Sequence, residues 1–194
     1  MRGEKQGSEK NMEFTEMQLL LQQEPDKIGA YIRRLILSSD LKECSRLCDH
    51  EMLNSILCRY MQQCMDSHIT FHADIRSRTM DFIADNDLTS LYCNLLDNAI
   101  AAAGIVPDSF IEINTSKHEK TSFVVITVIN SCRKNPFSDK GRQLSTDKTN
   151  KIGHGFGLKS IHKTVSKYHG NMQMYYNDDT RTFHTIITLK QQEL

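Results

Sequence analysis

"KIGHGFGLKSI", Lys151 to Ile161, sets glycines at every second position, Gly153, Gly155 and Gly157, and runs straight on into a helix-like stretch. Glycine at that spacing costs chain entropy, so the main chain here has a task that side chains would obstruct. Main-chain N–H groups freed of side chains can close around an oxyanion. The free N–H groups and the positive dipole end of a following helix point the same way. The stretch therefore reads as a phosphate cradle. Two familiar nucleotide loops are excluded. A Walker loop ends in Gly-Lys-Ser/Thr, whereas Leu158 separates Gly157 from Lys159 and Ser160. A dinucleotide fingerprint needs GxGxxG directly after a buried strand, whereas this is GxGxG after a polar loop. Short glycine patterns also mark turns, so the cradle needs support from elsewhere in the chain.

The preceding loop gives some. "RKNPFSDKGRQLSTDKTNK", Arg133 to Lys151, has only Phe137 and Leu144 as large apolar residues. It carries Arg133, Lys134, Lys140, Arg142, Lys148 and Lys151 against Asp139 and Asp147, a cationic segment in a chain of zero formal net charge. Loops of that length inside a domain are usually functional. Further support comes from "LYCNLLDNAIAAAG", Leu91 to Gly104. Asn94 and Asn98 stand four residues apart, so a helix projects both amides from one face, while Leu91, Leu95, Leu96 and Ile100 anchor it. Asparagine is not favoured inside helices. Alone, the pair reads as a polar stripe on an exposed helix. Beside a glycine cradle and a cationic loop it reads as a ligand pair, since an amide oxygen suits Mg²⁺, a hard cation that takes its other ligands from water and phosphate.

Working outward, the 194 residues suffice for one ordinary domain and an extra element. With 39% hydrophobic and 25% charged residues the composition is globular. Zero net charge points to no nucleic acid or anionic membrane as partner. No apolar run reaches a membrane span, and the polar start lacks a signal-peptide core, so a cytoplasmic protein, or the soluble piece of a larger membrane sensor, is expected. Six cysteines without a CxxC pair read as thiols in a reducing compartment, ahead of a metal pair at Cys44 and Cys48. Apolar spacing predicts helices over Met12–Glu24, from Asp26 onward and over Asp49–Met65. The first two form a hairpin whose stripe needs cover from a second copy or from the rest of the chain. Alternation predicts a strand in "HITFHADI", with further strands near Phe110–Asn114, Ser122–Asn130, Asn171–Tyr176 and Thr182–Lys190. Helices are expected over Leu88–Ala103 and after the glycines to about Tyr168. The fold class is α+β, a mainly antiparallel sheet with helices on one face.

"NLLDNAI", then "VINS", a polar lid and "GHGFGL" together resemble the ATP-binding domain of sensor histidine kinases, within the GHKL superfamily shared with gyrase, Hsp90 and MutL. "GHGFGLKSI", "CDHEMLNSIL" and "KYHGNM" are most similar to the peptide quorum-sensing (Agr-type) branch. The likeness runs in order from about Asp26 to Leu189. It implies a two-layer α/β sandwich of the Bergerat type over residues 48–194, with Mg-ATP between the asparagine helix and the glycine loop. Carried over, Asn98 resembles the magnesium ligand and Asn94 its phosphate-side neighbour. Gly153, Gly155, Gly157 and Leu158 resemble the backbone phosphate donors. Asn130 stands where the family's aspartate reads the adenine amino group, and its neutral oxygen makes the weaker contact. Ala101 stands where the branch often has an acid. His154 either donates to a phosphate or fills a loop position, and Lys148 either reaches the phosphates or is a solvated lid charge. Related ATPases carry a glutamate at position 94. An amide there is no base at neutral pH, which implies transfer of the γ-phosphoryl to a protein nucleophile rather than hydrolysis.

The resemblance makes residues 1–47 a partial dimerisation hairpin that mediates a homodimer, and it brings in a response regulator. The acceptor histidine expected near Gly7 is missing, because "GSEKN" retains only Lys10 and Asn11 of the wording and no histidine precedes His50. A front truncation is the expected explanation, and a natural degenerate or split kinase acting in trans the other. The competing function is a non-catalytic nucleotide-binding or protein-interaction module.

Overall fold

The computed structural model describes residues 46–117, 121–137 and 154–191. The hairpin expected over 1–47 lies outside the described residues except for Arg46 and Leu47, as does the polar loop beyond Phe137. The elements are α1 (Glu51–Asp66), β1 (Thr70–Ile75), α2 (Asp85–Ala103), β2 (Phe110–Lys117), β3 (Phe123–Ser131), α3 (His154–Lys167), β4 (Asn171–Asn177) and β5 (Thr182–Lys190). Among the described residues no helix is long and apolar enough to cross a membrane.

The strands form one five-stranded sheet in the order β1-β2-β3-β5-β4. β1 runs parallel to β2, which the α2 crossover between them allows. The other three pairings are antiparallel. Alternation decides which face is covered. Ile111, Ile113 and Thr115 on β2, Val124, Ile126 and Val128 on β3, and Ile187 and Leu189 on β5 are buried. They lie in register across the sheet, Ile113 beside Val128 and Ile126 beside Ile187. The intervening side chains are half-buried or exposed. One face is therefore dry, and the helices cover it: α1 against β1, α2 against β2 and β3, α3 against β4 and β5. The α+β sandwich expected from the sequence is the observed fold.

α1 buries Met52, Leu53, Ile56, Leu57, Tyr60 and Cys64, a helical stripe in which each fully buried large side chain contributes about 1.5–3 kcal/mol. His50 caps it, Nδ1 accepting from Leu53 N at 3.4 Å. α2 is tied down by a buried bond, Tyr92 Oη to Thr115 Oγ1 at 2.8 Å. α2 starts three residues earlier than its apolar spacing predicts, at Asp85, because its cap is remote. Ala84 makes no side-chain capping bond. The Ala84 N–H donates instead to the Tyr168 hydroxyl at 3.0 Å, and that hydroxyl donates to Asp87 Oδ2 at 2.8 Å. Cys48, Cys64, Cys93 and Cys132 are free thiols, whereas Cys58 is disulfide-bonded, a departure from the all-thiol expectation.

Candidate functional site

The two boxes that the sequence separates by some fifty residues meet in space. α2 and α3 lie antiparallel. Asp87 pairs with Lys167 at one end, Ser90 Oγ bonds Ser160 Oγ at 2.7 Å in the middle, and Asn94 faces Gly157 beyond it. The approach at Gly157 is close: a Cβ there would stand 2.9 Å from Asn94 Oδ1. A side chain at 157 would thus displace the asparagine amide. Asn94 is held in one orientation, since its Nδ2 donates to the Ser90 carbonyl at 2.6 Å and so turns Oδ1 toward α3.

Asn98 lies one turn further along α2 and is exposed, on the same side of the helix as Asn94. The antiparallel pairing carries the start of α3 toward that turn. Here the structure corrects an expectation. The glycines were read as a loop that ends where the helix begins, but α3 begins at His154, so Gly155, Gly157 and Leu158 lie in its first turns. The donors at this end are therefore the N–H groups of a helix terminus, the first four of which have no partner within the helix. The anion-binding logic, dipole included, is kept, but Leu158, fifth in α3, lies beyond the first four N–H groups. Gly153 and Lys148 lie outside the described residues, and of His154 only the backbone is described.

Asn130 is the penultimate residue of β3 and is buried, on the helix-facing side, between its register partners Ile111 and Phe183. Its Nδ2 donates to the Ser131 carbonyl at 2.9 Å, which leaves Oδ1 as the half of the amide able to accept. Tyr92 stands over Thr115, and Ile111 is four residues back along β2, about 13 Å. That distance corresponds to about nine residues of helix, which sets Asn130 at the end of the sheet where β2 begins, the end that follows the C-terminus of α2 in the chain. Phe183 also carries an aromatic contact, its ring 5.8 Å from that of Phe137.

Asn94 and the first turns of α3 are thus in contact, with Asn98 on the same face of α2, and Asn130 stands with Phe183 and Phe137 on the sheet. The donor set suits a nucleotide with a hard divalent cation: a neutral amide oxygen open to solvent at Asn98, free helix N–H groups for an anion, and an acceptor amide beside aromatic rings for a base. Ser90, Ser160 and Phe183 escape sequence reasoning. Ser160 sits inside the quoted glycine stretch and was the readable one, but its partner lies seventy residues away. Asp97, between the asparagines, faces the other way. Its Oδ1 accepts from the Tyr60 hydroxyl at 2.8 Å, and burial raises its carboxyl pKa against the opposing effects of Tyr60 and Arg59.

Comparison with known proteins agrees with this fold. A family model described as the GHKL domain matches residues 83–189. No curated protein matches the chain. Among solved structures, the catalytic domain of histidine kinase ThkA is 16% identical with a TM-score of 0.55, covering 73% of this chain and 92% of that one. The Acinetobacter baumannii histidine kinase AdeS is 14% identical with a TM-score of 0.52, over 95% of this chain and 98% of that one. ShkA, solved in complex with AMPPNP, is 12% identical with a TM-score of 0.56, over 86% of this chain and 35% of that one. At these identities the likeness is one of fold, and the fold is that of histidine kinase catalytic domains. The family match spans more than half of the chain, which therefore belongs to the GHKL family.

Proposed function

We propose that this chain is the Mg-ATP-binding catalytic part of a two-component sensor histidine kinase of the Agr-type branch. On this reading it transfers the γ-phosphoryl of ATP to a histidine on a separately supplied helical hairpin. The observation that carries the reading is the seating of Gly157 against Asn94 Oδ1, which joins the glycine and asparagine boxes into one crevice. Membership of the GHKL family and the fold shared with ShkA, a structure that holds AMPPNP, support it.

Asn98 would hold Mg²⁺ through its amide oxygen, with Asn94 on the phosphate side. The bound ion would neutralise charge on the phosphates. The N–H groups that open α3, at His154, Gly155 and Gly157, with the preceding Gly153, would hold the phosphate oxygens, with Lys148 as a further cation, while the Leu158 N–H, fifth in α3, belongs to the helix ladder. Asn130 would accept the adenine amino proton through Oδ1, the half its bond to Ser131 leaves available. Asn94 is anchored through Nδ2 and carries no basic atom, so water beside the phosphate gains no general base from it. The phosphoryl group is held for a protein acceptor instead. In a full system the hairpin would make a cytoplasmic homodimer and the phosphoryl would pass to a response regulator.

Isothermal titration with Mg-ATP tests the reading. Wild-type protein is expected to bind only weakly when EDTA removes the cation, and Asn98→Ala is expected to lose about tenfold or more in the presence of Mg²⁺. No heat of binding at millimolar nucleotide, or an Asn98→Ala affinity equal to wild type, would overturn it.

A further inference from the structure

Tyr60 belongs to α1, outside every motif of the nucleotide crevice, yet it contacts the helix that carries both asparagines. The side chain is 4% exposed. Its hydroxyl lies 2.8 Å from Asp97 Oδ1 and 3.4 Å from the Cys93 carbonyl oxygen. Cys93 and Asp97 are one turn apart on α2, and each immediately precedes one of the asparagines, Asn94 and Asn98. The one phenol proton, given chiefly to Asp97 with the Cys93 carbonyl as a longer second acceptor, therefore ties down the turn that presents the candidate ligands, from the adjoining face of the helix about 100° round. The other grip is made by α3, through Ser160 on Ser90 and Gly157 against Asn94. A helix held from one side can roll about its axis. Held from both, it has one rotation, and an exposed side chain such as Asn98 is aimed by it. A buried tyrosine hydroxyl needs a partner, and the one Tyr60 takes is a carboxylate on the ligand helix, itself costly to bury unless it is hydrogen-bonded.

We propose that Tyr60 is a positioning residue of the nucleotide site: by holding Asp97 and the Cys93 carbonyl, its hydroxyl sets the rotation of α2 that aims Asn98 at the divalent cation. The proposal rests on the nucleotide reading above and adds to it a residue that touches neither nucleotide nor metal. Outer partners of metal ligands act in this way, by orienting a ligand they do not replace.

The test separates aiming from general support. Tyr60→Phe keeps the ring and removes the hydroxyl. Nucleotide affinity is measured by titration with Mg²⁺ and again with EDTA, on protein whose folding is checked by circular dichroism. The affinity with Mg²⁺ is expected to fall about tenfold while the affinity in EDTA changes less than about twofold. Asp97→Asn keeps an oxygen that accepts from Tyr60 and is expected to behave as wild type. If Tyr60→Phe does not fold, Tyr60→Phe combined with Asp97→Leu removes the stranded carboxylate, and the same Mg²⁺-specific loss is expected there. Equal losses with and without Mg²⁺, or no loss in either, overturn the positioning role while wild-type Mg-ATP binding stands. Absence of Mg-ATP binding by wild type overturns the nucleotide reading and the positioning role with it.

Discussion

Gly157 shows how one missing methyl group can matter more to binding than to stability. In Gly157→Ala the new Cβ meets Asn94 Oδ1 at 2.9 Å. Oδ1 is the end of a rotatable side chain, so Asn94 gives way and loses its bond to the Ser90 carbonyl. That loss costs about 1 kcal/mol, while alanine gains about as much over glycine within a helix. Thermal melts of Gly157→Ala are therefore expected within about 1 kcal/mol of wild type, whereas titration should find Mg-nucleotide affinity reduced about tenfold. The thiols give a second residue-scale prediction. Burial pushes the Cys64 thiol up to about 11, and its side chain is fully enclosed. At pH 8 about one such thiol in a thousand is ionised. Alkylation of Cys64 in the native protein is expected to run roughly a hundredfold slower than in urea, followed by mass spectrometry of the labelled peptide. Equal rates would mean that the α1 stripe opens readily.

Among the elements, the packing of α2 on α3 was legible only in part. The strands followed from alternation, and β5 spans the residues that alternation marks, because its inward set Thr185, Ile187 and Leu189 leaves one possible register. The parallel pairing of β1 with β2 was not legible, since alternation carries no direction. The start of α2 and the bond from Ser90 to Ser160 were hidden for a related reason. A cap supplied by Tyr168, eighty-four residues from Ala84, leaves no mark beside the helix it caps. Asn94 and Asn98 were legible because their spacing is local. Their aim was not, because it depends on α1 and α3. Tyr168 carries the cap, so Tyr168→Phe should cost about 1–2 kcal/mol in denaturant melts, through the Ala84 N–H and Asp87 together. Lys167→Ala should cost less, because its pair with Asp87 is on an exposed side chain that water screens. Gly170, in the turn from α3 to β4, leaves no room for a Cβ. One would collide with the Thr188 carbonyl oxygen and come within 2.8 Å of Leu189 Cδ2. Gly170→Ala is expected to destabilise by about 2–4 kcal/mol in the same melts, without a selective loss of Mg-nucleotide affinity.

For the whole molecule, the question is where the phosphoryl group goes. On the proposed reading the nucleotide meets amides and main-chain N–H groups, and Asn94, which would stand on the phosphate side, offers no atom that takes a proton at neutral pH. Asp97 is the nearest carboxylate along α2, but it faces Tyr60 across the α1 contact and not the crevice. Among the described residues of α2, water that reached the phosphate would thus meet no positioned base, and hydrolysis would lose the factor of about 10²–10⁴ that such a base supplies. A histidine presented on a hairpin brings its own nucleophilic nitrogen and needs none. With γ-labelled ATP, Mg²⁺ and an added histidine-bearing hairpin, label is expected to accumulate on the hairpin within minutes, while release of inorganic phosphate in the hairpin's absence stays near the uncatalysed level. Asn98→Ala should abolish the labelling, and Asp97→Asn should leave it. Steady phosphate release without the hairpin would instead mark an ATPase. Tight Mg-ATP binding with an unlabelled hairpin would make the chain a nucleotide-binding module whose crevice serves to arrange its surface and not to move a phosphoryl group.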